Sequence, residues 1–196
     1  MGIGRGYTKR MYDERDHFSY LARYNRAANA DLVGHLCSLP ASELSKPRGS
    51  YFGSIQGVLD HVIMCDINWL RRFRELFAPD PKVGKDEPLN RPRLAPPGHA
   101  WTKFEFPVFE EFARERAVVD AIFEDWIALA DTGRFGEVLA YSDSHGAPKR
   151  YIFREALDHV FNHQTHHRGQ VSQLLDEMGI VHDYSNLVDA AETPPG

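Results

Sequence analysis

Four long stretches of this sequence carry apolar side chains at intervals of three and four residues. This spacing places the apolar side chains on one face of an α-helix. Helices that are apolar on one face bury it against each other, so the pattern predicts an all-α fold, a four-helix bundle. The predicted helices run over Phe18 to Leu39, Ser54 to Phe77, Val108 to Ala130 and Phe153 to Met178.

Proline and glycine lie where these helices are predicted to begin and end. Pro40 follows the first helix and Pro107 precedes the third, as expected for a residue that disrupts a helix interior. Gly179 follows the fourth helix and favours a left-handed C-terminal cap there.

Two connections are distinctive. From Pro79 to Pro107 inclusive there are seven prolines, which exclude a helix and predict a long crossover connection along the bundle. We favour plain linkage for it, with a lid over a site as the alternative. From Gly136 to Tyr151 the pattern predicts a short β-hairpin around His145 and Gly146, directly before the last helix.

Composition narrows the class of protein. The 196 residues show no break in composition and predict a single domain over residues 1–196. There are 28 acidic and 23 basic side chains and no basic block, so we expect no nucleic-acid partner. No apolar run is long enough for a signal peptide or membrane span, which predicts a cytoplasmic protein. Cys37 and Cys65 lack metal-site spacing and are expected to be small buried side chains.

The third helix has a clear division into two faces. An apolar stripe is predicted to face the core, and four charged residues are predicted to form the solvated face. The stripe consists of Phe109, Phe112, Ala113, Val119, Phe123, Trp126 and Ala130, and the charged residues are Arg114, Glu115, Asp120 and Glu124.

Four of the ten histidines lie within nine positions of the last predicted helix. On a helical wheel His163 and His167 share the core face with Val171 and Leu174, whereas His166 lies on the solvated face. Histidines at positions i and i+4 can direct ring nitrogens at one ion. Such a pair also arises by chance, so a metal-free bundle in which the histidines merely pack is the alternative.

A third ligand must come from another helix. His159 has the same spacing to His163, but three histidines on one helix span about 12 Å along its axis, too far to surround one ion. We expect His61 on the second helix as the third ligand, because Val58 and Cys65 flank it on the core side. His35 on the first helix is a weaker candidate, and no role is assigned to the histidines of the termini and loops, namely His17, His99, His145 and His182.

Three segments resemble one known family. They are the run HVFNHQTHHRGQ at His159–Gln170, the run LDHVIMCDINWL at Leu59–Leu70, and Tyr24, Asn25 and Asn29 in the first helix. Together they resemble the DinB-like family, also called the DinB/YfiT superfamily. The resemblance covers most of the chain but is weak in the Pro79 to Pro107 connection.

The resemblance implies a four-helix bundle that carries a divalent metal ion, nickel or zinc, on three histidines. These correspond to His61, His163 and His167. It also implies a bacterial cytosolic homodimer. Some members transfer a low-molecular-weight thiol to an electrophile, and others are isomerases or proposed hydrolases.

Three imidazoles leave a coordination position open, which favours a metal-dependent enzyme, a thiol S-transferase or a hydrolase acting on a small-molecule substrate. The alternative is a noncatalytic stress-response or ligand-binding bundle with a structural metal. We expect ligand orientation to come from among His159, Asn162, Asp66 and Gln170. Arg168 is expected to pair with an acidic group.

Overall fold

The computed structural model of the protein describes residues 12–76, 104–143 and 145–188. Within these ranges it has five α-helices, one 3₁₀ turn and one two-stranded antiparallel hairpin. The elements are α1 Glu14–Cys37, α2 Ala41–Ser45, α3 Ile55–Leu76, α4 Phe109–Leu129, the 3₁₀ turn Thr132–Arg134, β1 Val138–Ser142, β2 Pro148–Ile152 and α5 Phe153–Glu177. The predicted all-α fold with a hairpin before the last helix is confirmed, and the short α2 is an addition to it.

The helix ends have identifiable local causes. A capping box starts α1, in which the Asp13 side chain accepts from the backbone N–H of Asp16 and the Asp16 side chain accepts from that of Asp13. Beyond the last helix, Gly179 has a φ of +71° and the N–H of Ile180 donates to the carbonyl of Leu175. The predicted left-handed cap at Gly179 is therefore confirmed.

Four long helices form the bundle. Helices α1 and α3 each pack against both α4 and α5. At the hairpin end, the ring of Phe73 stacks on Trp126 and that of Phe135 stacks on Phe153, with centroid distances of 5.2 and 5.5 Å. This aromatic cluster fixes the start of α5 and hence the direction in which its later residues run.

The predicted solvated face of α4 is wrong at two of its four positions. Arg114 is exposed and Glu124 is partly so, but Glu115 and Asp120 are only 8% and 3% exposed. Asp120 is buried because it belongs to a network of polar side chains at the centre of the bundle. The prediction failed because the helical wheel counted a charged residue as solvated.

Arg116 is the cation of this network. Its guanidinium contacts Asp66 Oδ2 on α3 at 2.5 Å and Asp120 Oδ1 at 2.7 Å. Asn29 on α1 donates to the Asp120 carboxylate at 3.0 Å and to Gln164 Oε1 on α5, also at 3.0 Å. The network therefore links all four long helices.

Arg168 also lies in the network, but the expectation that it pairs with an acidic group is wrong. Its guanidinium donates to the amide oxygens of Asn25 and Asn29, at 2.6 and 3.0 Å. Both asparagines are buried on α1. Arg168 has neutral amides as its hydrogen-bond acceptors because the carboxylates of Asp66 and Asp120 already accept hydrogen bonds from Arg116.

The two cysteines differ in burial. Cys65 is partly buried, whereas Cys37 is exposed at the end of α1. The expectation that both are buried is therefore wrong for Cys37. No helix in the described part of the chain is long and apolar enough to cross a membrane.

Most of the predicted crossover connection, from Pro79 onward, lies outside the described residues, as does His99. Its final residues are described and are held against α3. The N–H of Glu105 donates to Asp60 Oδ2 at 2.6 Å, and the Gln56 side chain donates to the carbonyl of Phe106. The choice between linkage and lid stays a prediction.

We predict that Arg116→Met strongly destabilises the bundle. The substitution leaves the carboxylates of Asp66 and Asp120 buried without their guanidinium, a loss that costs about 3–5 kcal/mol. Urea unfolding followed by circular dichroism measures it. The matched control is Arg114→Met on the exposed face of α4, for which we expect a change within about 0.5 kcal/mol. Equal effects of the two substitutions would contradict a central role for the network.

Candidate metal centre

Three histidine side chains converge between α3 and α5. They are His61 on α3 and His163 and His167 on α5, and one nitrogen from each lies within 4.8 Å of the other two. The Nε2 atom of His163 is 3.1 Å from the Nε2 atoms of both His61 and His167. The structure thus brings together the three histidines that the sequence singles out.

The local structure explains this convergence. His163 and His167 are one helical turn apart on the same face of α5, with ring centroids 4.3 Å apart. Because α3 packs against this face, the His61 ring lies 5.0 Å from the ring of His163 and 4.8 Å from that of His167. The triad therefore depends on the register between α3 and α5.

The geometry fits a metal ion. Nitrogens bound tetrahedrally to one ion at about 2.0–2.1 Å lie about 3.3–3.4 Å from each other. The separations of 3.1 Å around His163 are close to that value. A small outward shift of the rings suffices, so this three-histidine cluster can hold a metal ion.

The electrostatics also favour a metal. Burial, together with the neighbouring His167, lowers the pKa of His61 to about 4 and that of His163 to about 3. Burial lowers the pKa of His167 as well. The imidazoles are therefore neutral near pH 7, and a metal ion need not displace protons from them.

Phe52 forms an apolar wall beside the triad. Its ring stacks on His61 at a centroid distance of 4.3 Å and meets His167 edge-on at 5.3 Å. Phe52 is 8% exposed and is followed by Gly53, whose φ of +76° requires glycine in the turn that leads into α3. Phe52 was not predicted as part of the site, and the glycine after it was the available signal of a specific turn.

Gln170 orients one of the histidines. Its Oε1 atom lies 2.8 Å from Nδ1 of His167, so the ring can donate from Nδ1 and direct the lone pair of Nε2 toward the other two histidines. This contact confirms one of the four expected supporting residues. Gln170 could reach His167 because a separation of three residues places both on one side of the helix.

The other three supporting candidates are placed differently. The His159 ring lies 5.9 Å from that of His163, a packing contact rather than a hydrogen bond. Asp66 contacts Arg116 and belongs to the central network. Asn162 is exposed. The expectation that Asp66 supports the triad is wrong because its side chain is bound to a different helix.

Cys65 lies against the triad, but its sulfur is not poised as a thiolate. Its Sγ atom is 3.7 Å from Nδ1 of His61. Burial raises the pKa of Cys65 to about 12, and the neighbouring Asp66 acts in the same direction. The side chain is therefore a neutral thiol that packs on His61.

The remaining histidines have other surroundings. His35, the weaker candidate for the third ligand, lies 3.3 Å from Asp31 and is not in the cluster. His166 is exposed, as predicted. The histidines to which no role was assigned, apart from His99, lie in described segments: His17 near Asp158, His182 against Ser172, and His145 in the hairpin turn.

The fold and the site together define a helical bundle with a three-histidine cluster that can hold a metal ion. The sequence matches the DinB family over residues 11–193, and the chain belongs to that family. It is 25% identical over 160 residues to Protein DinB of Bacillus subtilis (strain 168), an alignment that covers 81% of this chain and 84% of that protein. No solved structure matches the chain.

We predict that Gln170→Ala weakens metal binding by about 10- to 100-fold, the usual effect of removing a residue that orients a ligating histidine. Competition with a chromophoric chelator measures the dissociation constant. Gln173→Ala is the matched control, because Gln173 is an exposed glutamine on the same helix. Equal affinities of the two variants would remove the assigned role of Gln170.

Proposed function

We propose that this protein is a metal-dependent enzyme that binds one divalent ion, nickel or zinc, through His61, His163 and His167. One observation carries the proposal. Within the described residues, the cluster of potential ligand atoms has these three imidazoles as its members and no fourth group. Catalytic zinc sites commonly have three protein ligands and keep the next position for water or substrate, whereas structural sites have four.

The nature of the ligands supports nickel or zinc. Imidazole nitrogen suits both metals, whereas calcium and magnesium prefer oxygen. The membership in the DinB family agrees with such a site. The homodimer and the cytosolic location that the family resemblance implies are part of the proposal.

The reaction that we propose is attack on an electrophile, by a low-molecular-weight thiol in a thiol S-transferase or by water in a hydrolase. A divalent ion at the triad would supply Lewis acidity, which makes a coordinated thiol or water a nucleophile near neutral pH. The side chains position the nucleophile and limit access to it. Gln170 holds the His167 ring, and Phe52 keeps one side of the site apolar.

His159 is our candidate for a proton acceptor. Its ring is next to His163 and the residue is exposed, so it can meet a bound small molecule. Desolvation by the neighbouring side chains and the positive charge of Arg72 lower its pKa, which leaves the imidazole neutral and able to take a proton at neutral pH.

We predict that protein purified without a histidine tag carries about one metal ion per chain. The variants His61→Ala, His163→Ala and His167→Ala should lose most of it, because each removes one of three ligands. Elemental analysis by mass spectrometry gives the metal content. His166→Ala is the matched control, since His166 is the exposed neighbour of His167. Unchanged metal content in all three triad variants would contradict the proposal.

Removal of the metal separates an enzyme from a noncatalytic bundle with a structural ion. The histidine cluster joins only α3 and α5, while the central network independently links four helices. We therefore expect the chelated protein to keep its helical circular dichroism spectrum. Unfolding on chelation would favour the structural alternative.

A further inference from the structure

A line of side chains leads along α3 from the triad toward the hairpin. His61, Cys65, Trp69 and Arg72 follow each other at intervals of four, four and three residues and so share one face of the helix. Trp69 meets α5 at His159, with ring centroids 5.4 Å apart. His159 in turn packs on His163. The line of side chains thus starts at the triad, passes His159 and ends at Arg72.

Arg72 is held on two aromatic rings. The central carbon of its guanidinium lies 4.1 Å from the ring centroid of Tyr141 on β1 and 4.6 Å from that of Trp69. Contacts with both rings restrict the guanidinium without using its N–H groups, since cation–π attraction acts through the ring faces. Arg72 is therefore a positioned cation whose hydrogen-bond donors are not consumed by the aromatic contacts.

The structure shows no carboxylate at Arg72 within the described side chains. Across residues 12–74, 104–143 and 145–188 Arg72 makes no ion pair or hydrogen bond. Two other arginines do have a carboxylate partner: Arg48 contacts Glu43 at 2.9 Å and Arg134 contacts Glu137 at 2.9 Å. Lys149, the cation paired across the hairpin with Tyr141, has Asp143 at 3.5 Å. Arg72 is half-buried, so an anion that reached it would meet a partly desolvated cation.

The position of Arg72 on α3 gives an estimate of its separation from the triad. Arg72 lies eleven positions after His61, which corresponds to about 16 Å along the helix axis. Long side chains on a helix point back toward its N-terminus, which brings the guanidinium closer to the triad. We therefore choose probes with a chain of about six carbons between their two ends.

We propose that Arg72, held by Trp69 and Tyr141, binds a carboxylate of the substrate while the reacting end of the same molecule lies at the triad. The proposal rests on the proposed function and narrows its substrate class to a small thiol that carries a carboxylate. A single guanidinium forms a bidentate pair with a carboxylate and matches its single negative charge.

The test uses the full chain loaded with Co²⁺, in which a bound thiolate gives a sulfur-to-cobalt absorption band. The two probes are 6-mercaptohexanoate and 6-mercaptohexan-1-ol, which share the thiol and the chain length and differ in the charged end. Titration of the band gives a dissociation constant for each. We expect the acid to bind about tenfold more tightly than the alcohol, since a charge-assisted hydrogen bond is worth at least that ratio.

Variants assign the preference to Arg72. Arg72→Gln should bind both probes equally, with the affinity for the alcohol unchanged, which also shows that the metal site is intact. Arg72→Lys should keep only part of the preference, because an ammonium cannot form the bidentate pair. It also carries the test if Arg72→Gln fails to fold. Arg150→Gln is the matched control, since Arg150 is exposed on β2 and points to the face opposite Lys149 and Tyr141.

Equal affinities of the two probes for the unmodified protein would overturn the role of Arg72 and leave the proposed function standing. A preference for the acid that persists in Arg72→Gln would also overturn the role of Arg72 and leave the proposed function standing. Absence of the absorption band with both probes would instead overturn the proposed open position, and the inference would fall with it.

Discussion

The buried guanidinium of Arg116 between Asp66 and Asp120 is the interaction on which the rest of the structure depends. It joins α3 to α4, and Asn29 and Gln164 extend the connection to α1 and α5. A buried charge tolerates little displacement from its partners. The network therefore fixes the register of the helices more tightly than apolar packing alone would.

This register determines the geometry of the histidine cluster. Gln164 and Arg168 follow His163 and His167 directly in α5, so the network and the triad occupy adjacent faces of one helix. Contacts of Gln164 and Arg168 with α1 hold one face of α5. The adjacent face then places the imidazoles of His163 and His167 at a fixed position along the helix, opposite His61. The three nitrogens therefore lie close to each other, and burial keeps the rings neutral.

The two sides of the triad differ in polarity. Phe52 and the neutral thiol of Cys65 make one side apolar, whereas His159 and Arg72 add polar and positive groups toward the hairpin. An apolar wall strengthens electrostatic interactions at the site. A positioned cation away from the triad can bind a remote part of the substrate and so orient the reacting end. Both features agree with the proposed attack of a small anionic thiol on an electrophile.

Much of the fold was predictable because its signals are local. Helical periodicity, Gly179 and the spacing of His163 and His167 each depend on residues a few positions apart. The proximity of His61 followed from its place on a core-facing helix and from the family resemblance. The burial of Asp120 and the placement of Phe52 were not predictable, because Asn29 on another helix, α1, binds the first and a turn before α3 places the second.

X-ray absorption spectroscopy of the zinc-loaded protein tests the central claim most directly. We predict three imidazole nitrogens at about 2.0–2.1 Å and at least one further ligand that does not come from the protein. On addition of 6-mercaptohexanoate, that ligand should be replaced by sulfur at about 2.3 Å. A shell of four protein ligands that does not change when the thiol is added would contradict the account.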